Sequence, residues 1–226
     1  MAKELQGLQV AFLATDGVEQ VELQQPREAM ERAGARTELI SLRPGSIQAM
    51  RHDDKGDRFD VDRTVGEADP DDYDALVLPG GVANPDRLRR VPAVQRFVRA
   101  FFEAKKPVAA ICHAPWTLID AGVAAGRRLT SWPSLQADLR NAGATWVDEE
   151  AVLDGNLLTS RGPKDLPVFV ARAIELFARA LGGEVGGTEA MRRGGRVRID
   201  RAGDLIDERV QESFPASDPP AGPSHV

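Results

Sequence analysis

Two short runs constrain the fold of this chain more than any other feature. They are Asp74-Ala-Leu-Val-Leu-Pro-Gly-Gly and Lys106-Pro-Val-Ala-Ala-Ile-Cys-His-Ala-Pro. Each is a continuous apolar stretch that stops abruptly, at Pro79 in the first and at Cys112-His113-Ala-Pro in the second. A strand with one wet face alternates polar and apolar side chains, whereas an unbroken apolar run reads as a strand buried on both faces. Helical patterns lie between the apolar runs, which predicts βαβ units and a mostly parallel sheet covered on both sides.

The other segments fit this plan. Leu8 to Ala14 reads as a first buried strand, Val18 to Ala33 as a helix closed by Gly34, and Thr37 to Leu42 as a second strand. Residues 43–69 are polar and turn-rich, with short extended pieces near Ile47 to Arg51 and Phe59 to Val61. Helices are expected over Val91 to Ala104, from Trp116 toward Ala125, near Leu135 to Asn141, and over the amphipathic stretch Leu166 to Leu181. Leu129 to Trp132 and Ala144 to Val147 are short strand candidates, and Val152 to Ser160 a hairpin or last strand. Residues 1–181 thus form one α/β domain. Residues 182–226 open with Gly182-Gly183 and end in Phe214-Pro-Ala-Ser-Asp-Pro-Pro-Ala-Gly-Pro, too rich in Pro and small residues to build a core. That extension is expected to be mostly disordered, with Arg196 to Arg209 able to form a strand and short helix against a partner.

Composition narrows the function classes. A net charge of −6 argues against nucleic acid, which needs clustered Lys and Arg, and the basic run Arg192 to Arg198 has no aromatic neighbours to stack bases. No stretch reaches the roughly 18 apolar residues of a membrane helix, and the start lacks a secretory apolar region. A single cysteine forms no internal disulfide, and a cytoplasmic protein is expected.

In parallel α/β sheets ligands bind outside the carboxyl ends of the strands. Cys112, Gly80-Gly81 and the loop Asp16-Gly17-Val18-Glu19 all follow expected strand ends. A lone cysteine is often a small buried hydrophobe, but Cys112 sits at a turn between strand and helix. Unpaired N–H groups there favour the thiolate, and such cysteines titrate at roughly 3.5–7.5 instead of about 8.5. Cys112 is therefore a candidate nucleophile, and His113 beside it a candidate general base or acid. On spacing alone, Glu19 reads equally as an active-site carboxyl and as an ordinary acid at a helix N-terminus. One Cys and the scattered His52, His113 and His225 offer no zinc-ligand spacing, and no cofactor is expected.

The two apolar runs with their loops, Asn141-Ala-Gly-Ala-Thr-Trp-Val-Asp and the early Asp16-Gly-Val-Glu together resemble the ThiJ/PfpI superfamily, in particular its PfpI-type branch, from about Leu8 to Leu181. The resemblance implies a flavodoxin-like three-layer sandwich with Cys112 on a nucleophile elbow. It implies that Glu19 is the protonated carboxyl that donates to sulfur, and that His113 is the catalytic histidine. Asp86 is then the acid that orients this histidine from a neighbouring subunit, which calls for a homodimer or higher oligomer. Gly81 and the N–H of His113 are the implied oxyanion donors. A glutamine amidotransferase of related fold needs a downstream His-x-Glu, which this chain lacks. Three functions follow: a stress-protection enzyme acting on small carbonyl compounds or glycated proteins, as glyoxalase or deglycase; an oligomeric cysteine peptidase; or a redox sensor or chaperone whose Cys112 is oxidised without turnover.

Overall fold

The computed structural model describes residues 4–181, and the expectations for 182–226 lie outside the described residues. The chain opens with β1 (Gln9–Leu13), α1 (Gln20–Arg32) and β2 (Arg36–Ser41), followed by a hairpin of β3 (Ser46–Arg51) and β4 (Asp54–Asp60). Next come β5 (Arg63–Thr64), β6 (Ala75–Leu78), α2 (Ala83–Arg89), α3 (Pro92–Glu103), β7 (Val108–Ile111) and α4 (Pro115–Asp120). The remainder comprises β8 (Arg128–Leu129), α5 (Gln136–Asn141), β9 (Thr145–Trp146), β10 (Ala151–Asp154), β11 (Leu157–Ser160) and α6 (Leu166–Leu181).

Seven strands form one sheet in the order β10-β11-β7-β6-β1-β2-β5. All its neighbours run parallel except β10, which returns antiparallel to β11. The two apolar runs that dominate the sequence, β6 and β7, lie side by side at its centre and are buried throughout. Alternate residues of each serve different layers. Leu76, Leu78, Val108 and Ala110 pack with Phe97 and Phe101 of α3 and Leu118 of α4. Ala75, Val77, Ala109 and Ile111 pack with Leu23 and Met30 of α1 and Phe169 and Phe177 of α6. This is the three-layer α/β architecture expected from the sequence.

The structure departs from the sequence reading in four places. Helix α4 is only six residues long and stops before Gly122, whose φ of 72° a right-handed helix does not accept. Helix α2 was not expected, because Asn84-Pro85-Asp86 reads as turn chemistry. The pieces of the 43–69 region form a separate two-stranded sheet, β3 with β4, and β8 pairs with β9 in another. At the outer edge, β5 covers only the end of β2, and Asp62 covers Leu39: its N–H donates to the Leu39 carbonyl at 2.9 Å and its Oδ2 accepts the Leu39 N–H at 2.7 Å. No helix among the described residues is long and apolar enough to cross a membrane.

Candidate active site

Cys112 follows the last residue of β7 with φ of 63°, in the left-handed region that costs a non-glycine residue roughly 1–2 kcal/mol. Both sides of its backbone are tied down. Its N–H donates to the Ser160 carbonyl at 3.0 Å, and its carbonyl accepts the Trp132 N–H at 2.9 Å. The thiol lies on the wall of a cavity of about 320 Å³ at the carboxyl ends of the central strands, lined also by Gly17, Glu19, Glu22, His52, Gly81 and His113. Four residues singled out in the sequence, Cys112, His113, Glu19 and Gly81, therefore meet in one cavity.

Gly80 and Gly81 are required by space. A Cβ on Gly80 would stand 2.5 Å from the Cys112 Cβ and 2.6 Å from Glu22 Oε2. One on Gly81, whose φ is 81°, would stand 2.4 Å from the Gly17 carbonyl oxygen. This packing brings the Gly81 N–H, with that of His113, to the side of the sulfur, where both favour the thiolate. The same two amides are the oxyanion donors expected from the sequence.

The carboxyl beside the thiol is that of Glu22, not Glu19. Glu22, in the first turn of α1, is fully buried on the face that also buries Leu23, Pro26 and Met30. Its Oε2 accepts the Gly80 N–H at 2.8 Å, and its Oε1 has no hydrogen-bond partner. Burial raises its pKa to about 8, with the Glu19 charge adding and the Gly80 N–H and Cys112 opposing. Glu22 therefore holds a proton at neutral pH. Glu19, the backbone cap of α1, turns its side chain toward the hairpin instead, where Oε2 accepts the His52 N–H at 3.1 Å. The sequence did carry a signal for Glu22: a charged residue on the apolar stripe of an amphipathic helix, three positions after the acid that was chosen.

The expectation of a low thiol pKa is also corrected. Burial, then the Glu22 charge, push the Cys112 thiol well above its ordinary value, and the Gly81 and His113 amides recover only part of this. Six residues of α4 make a weak helix dipole, and the sulfur is 5% exposed as part of its residue. His113 places Nδ1 3.2 Å from Sγ and Nε2 3.4 Å from Ser134 Oγ. Its ring stacks on Trp132 at 5.7 Å between centroids, and burial lowers its pKa to about 4. The resting pair is thus a neutral thiol and a neutral imidazole. Asp86 does not line the cavity of its own chain but stands exposed in the first turn of α2, as a residue expected to act on a neighbouring subunit must.

Among the described residues no three His, Cys, Asp or Glu side chains converge as a metal site. Chemically, the arrangement offers a nucleophile, two amide donors at one point, a protonated carboxyl and a proton acceptor.

Comparison with known proteins places this geometry. The model of the DJ-1/PfpI family matches residues 8–176. The putative cysteine protease YraA of Bacillus subtilis is 39% identical over 168 residues, 74% of this chain and 97% of that protein. The deglycase PfpI of Pyrococcus furiosus is 40% identical over 170 residues, 75% of this chain and 99% of that protein. The crystal structure of Drosophila melanogaster DJ-1beta superposes with a TM-score of 0.69 at 27% identity, over 80% of this chain and 99% of that one.

Proposed function

This chain belongs to the DJ-1/PfpI family, and from that premise we propose that it is a cysteine-dependent enzyme acting on reactive carbonyls, free or as adducts on amines and thiols. The observation that carries the proposal is the meeting of Cys112 Sγ, the Gly81 and His113 amides and the protonated Glu22 carboxyl at one point of a small cavity. A cavity of about 320 Å³ is at the small end for ligand sites and suits a short dicarbonyl or its adduct.

For methylglyoxal, the Cys112 sulfur bonds to the aldehyde carbon while the carbonyl oxygen takes the negative charge and, then, a proton. The Gly81 and His113 amides beside the sulfur hold that oxygen. The aldehyde hydrogen leaves carbon 1 as a proton and one returns to carbon 2, so carbon 1 is oxidised as carbon 2 is reduced. The result is a lactoyl thioester. Water then breaks the S–C bond to release lactate and restore the thiol. On an amine adduct, the C–N bond breaks as the S–C bond forms, the amine leaves with a proton, and the same steps follow. Glu22 is the group beside the sulfur that donates a proton, the role expected of Glu19. His113, whose Nδ1 lies 3.2 Å from Sγ, relays the thiol proton toward the carbonyl oxygen as the S–C bond forms, so that no separate thiolate–imidazolium pair is required.

A peptidase is the second reading. It is favoured by the Cys112–His113 contact and by the name of the Bacillus subtilis relative. It requires a carboxylate to turn His113 into a stronger base, and Asp86 would have to reach it from a second copy of the chain.

The decisive experiment follows methylglyoxal loss and lactate formation by wild type, Cys112→Ala and Glu22→Gln, with a peptide substrate in parallel. Wild type forms lactate, Cys112→Ala loses activity to background, and Glu22→Gln loses at least about a hundredfold, in line with removal of a proton donor. Peptide cleavage that depends on Cys112, without lactate, would instead favour the peptidase.

A further inference from the structure

The ionisable side chains lining the cavity are Glu19, Glu22, His52, Asp53, Cys112 and His113, and no lysine or arginine lines it. Glu19 uses Oε2 for the His52 N–H at 3.1 Å, 3.7 Å from the His52 ring nitrogen. The His52 ring itself is 82% exposed. Asp53 is exposed and makes no hydrogen bond or ion pair among the described residues. The basic groups nearby are engaged elsewhere: Arg51 bonds Asp57 and Gln20, and Arg87 donates to the Asp16 carbonyl. At the floor, the Oε1 of fully buried Glu22 also lacks a partner. At its mouth the cavity carries the Glu19 and Asp53 carboxylates with no lysine or arginine among its lining residues to balance them, above a floor where Glu22 holds its proton.

These charges stand on a fixed wall. Gln20, buried at the start of α1, accepts the Asp57 N–H at 2.8 Å and the Arg51 Nε–H at 3.1 Å, and donates to Asp57 Oδ2 at 2.6 Å. Met50 donates its N–H to the Val18 carbonyl at 2.8 Å, and Gln48 accepts from Gly17 N–H at 2.8 Å through its carbonyl. The hairpin tip that carries His52 and Asp53 is thereby pinned to the loop before α1. Glu19, tied through Oε2, and the backbone beneath Asp53 are thus fixed before a substrate arrives, which spares the cost of ordering the loop.

We infer that Glu19 and Asp53 make the cavity mouth selective for carbonyl adducts of cationic nitrogen, carried by lysine or arginine side chains, over adducts of anionic thiols such as glutathione. A methylglyoxal hemiaminal on lysine keeps a protonatable amine, and one on arginine keeps the guanidinium charge. The glutathione hemithioacetal carries two carboxylates against one ammonium, a net charge of about −1, and excess like charge brought to Glu19 and Asp53 is disfavoured where a cationic adduct is attracted. The inference rests on the carbonyl reading above.

The test compares kcat/KM for three substrates: methylglyoxal, its adduct with Nα-acetylarginine amide, and its hemithioacetal with glutathione. Wild type and Asp53→Lys are assayed on each at low salt. Wild type favours the arginine adduct over the glutathione adduct. Asp53→Lys lowers that ratio about tenfold, and the difference shrinks in high salt because exposed charges are screened within about 10 Å at 0.1 M. Asp53→Asn moves the ratio in the same direction by less. Asp53 has no partner in the fold, so neither variant removes a structural contact. An unchanged ratio in Asp53→Lys, with methylglyoxal still consumed, overturns this inference alone. No turnover of any substrate by wild type overturns the carbonyl reading and the inference with it.

Discussion

At Glu22 the chain places a carboxyl away from water and gives its two oxygens one backbone donor, the Gly80 N–H. Its pKa of about 8, against 4.5 for the free group, means that the folded chain holds a proton the unfolded chain releases between those values. The stability this gives is complete below about pH 4.5 and is lost as the pH rises through 8. His113 acts on the other side. With a folded pKa of about 4 against 6.5, its contribution is lost as the pH falls from 6.5 to 4. The two trends oppose up to pH 6.5, so calorimetry is expected to show a wild-type Tm that is nearly level from pH 5 to about 6.5 and declines from there to about pH 8, with no such decline in Glu22→Gln. At the alkaline end Glu22→Gln should melt several degrees above wild type, since each kcal/mol shifts Tm by about 2–4 °C at this size. A Glu22→Gln profile that falls in parallel with wild type would assign the alkaline loss to other groups. At this scale the sequence was legible at Cys112, His113 and Gly81, which announce themselves by position after apolar strands. It was not at Glu22, because two acids three residues apart on one helix differ only in which one the packing buries.

The hairpin of β3 and β4 is joined to the start of α1 by backbone bonds at Gly17 and Val18 and by the side chain of Gln20, whose amide makes four hydrogen bonds, to Asp57, Arg51 and Gln24. Gln20→Ala leaves the Asp57 N–H and the hairpin without these partners, at a cost of about 1–3 kcal/mol. Amide exchange at residues 51–54 is expected to accelerate at least about tenfold, while α6 changes only with global stability. Equal acceleration in both would make Gln20 a general core residue. The elements themselves were readable to different depths. β6, β7 and α6 follow from apolar runs and a helical stripe that no other structure accommodates. α2 was hidden because its Asn84 looks like a turn residue, yet Asn84 is fully buried and bonds the Pro79 and Gly80 carbonyls and the Thr15 N–H. Those partners lie on two separate loops, and nothing in the local sequence reveals them.

Across the whole described domain, one sheet separates two hydrophobic layers, and each of its central strands contributes to both. Loosening one layer must then loosen the other. Phe101→Ala on one side and Phe177→Ala on the other each remove a fully buried ring and are expected to cost about 3–5 kcal/mol. The double variant should be additive within about 0.5 kcal/mol, because the layers share no side chain, and unfolding should remain a single transition by fluorescence and circular dichroism. Two separated transitions would mean that the layers fold independently. The finish of the sheet at β2 carries a last consequence. Asp62 occupies both the donor and the acceptor of Leu39, so the outermost long strand offers no free pair there for a foreign strand to copy. A sheet margin stoppered in this way is closed to strand-by-strand addition at Leu39, so self-association of the folded domain through this edge is disfavoured.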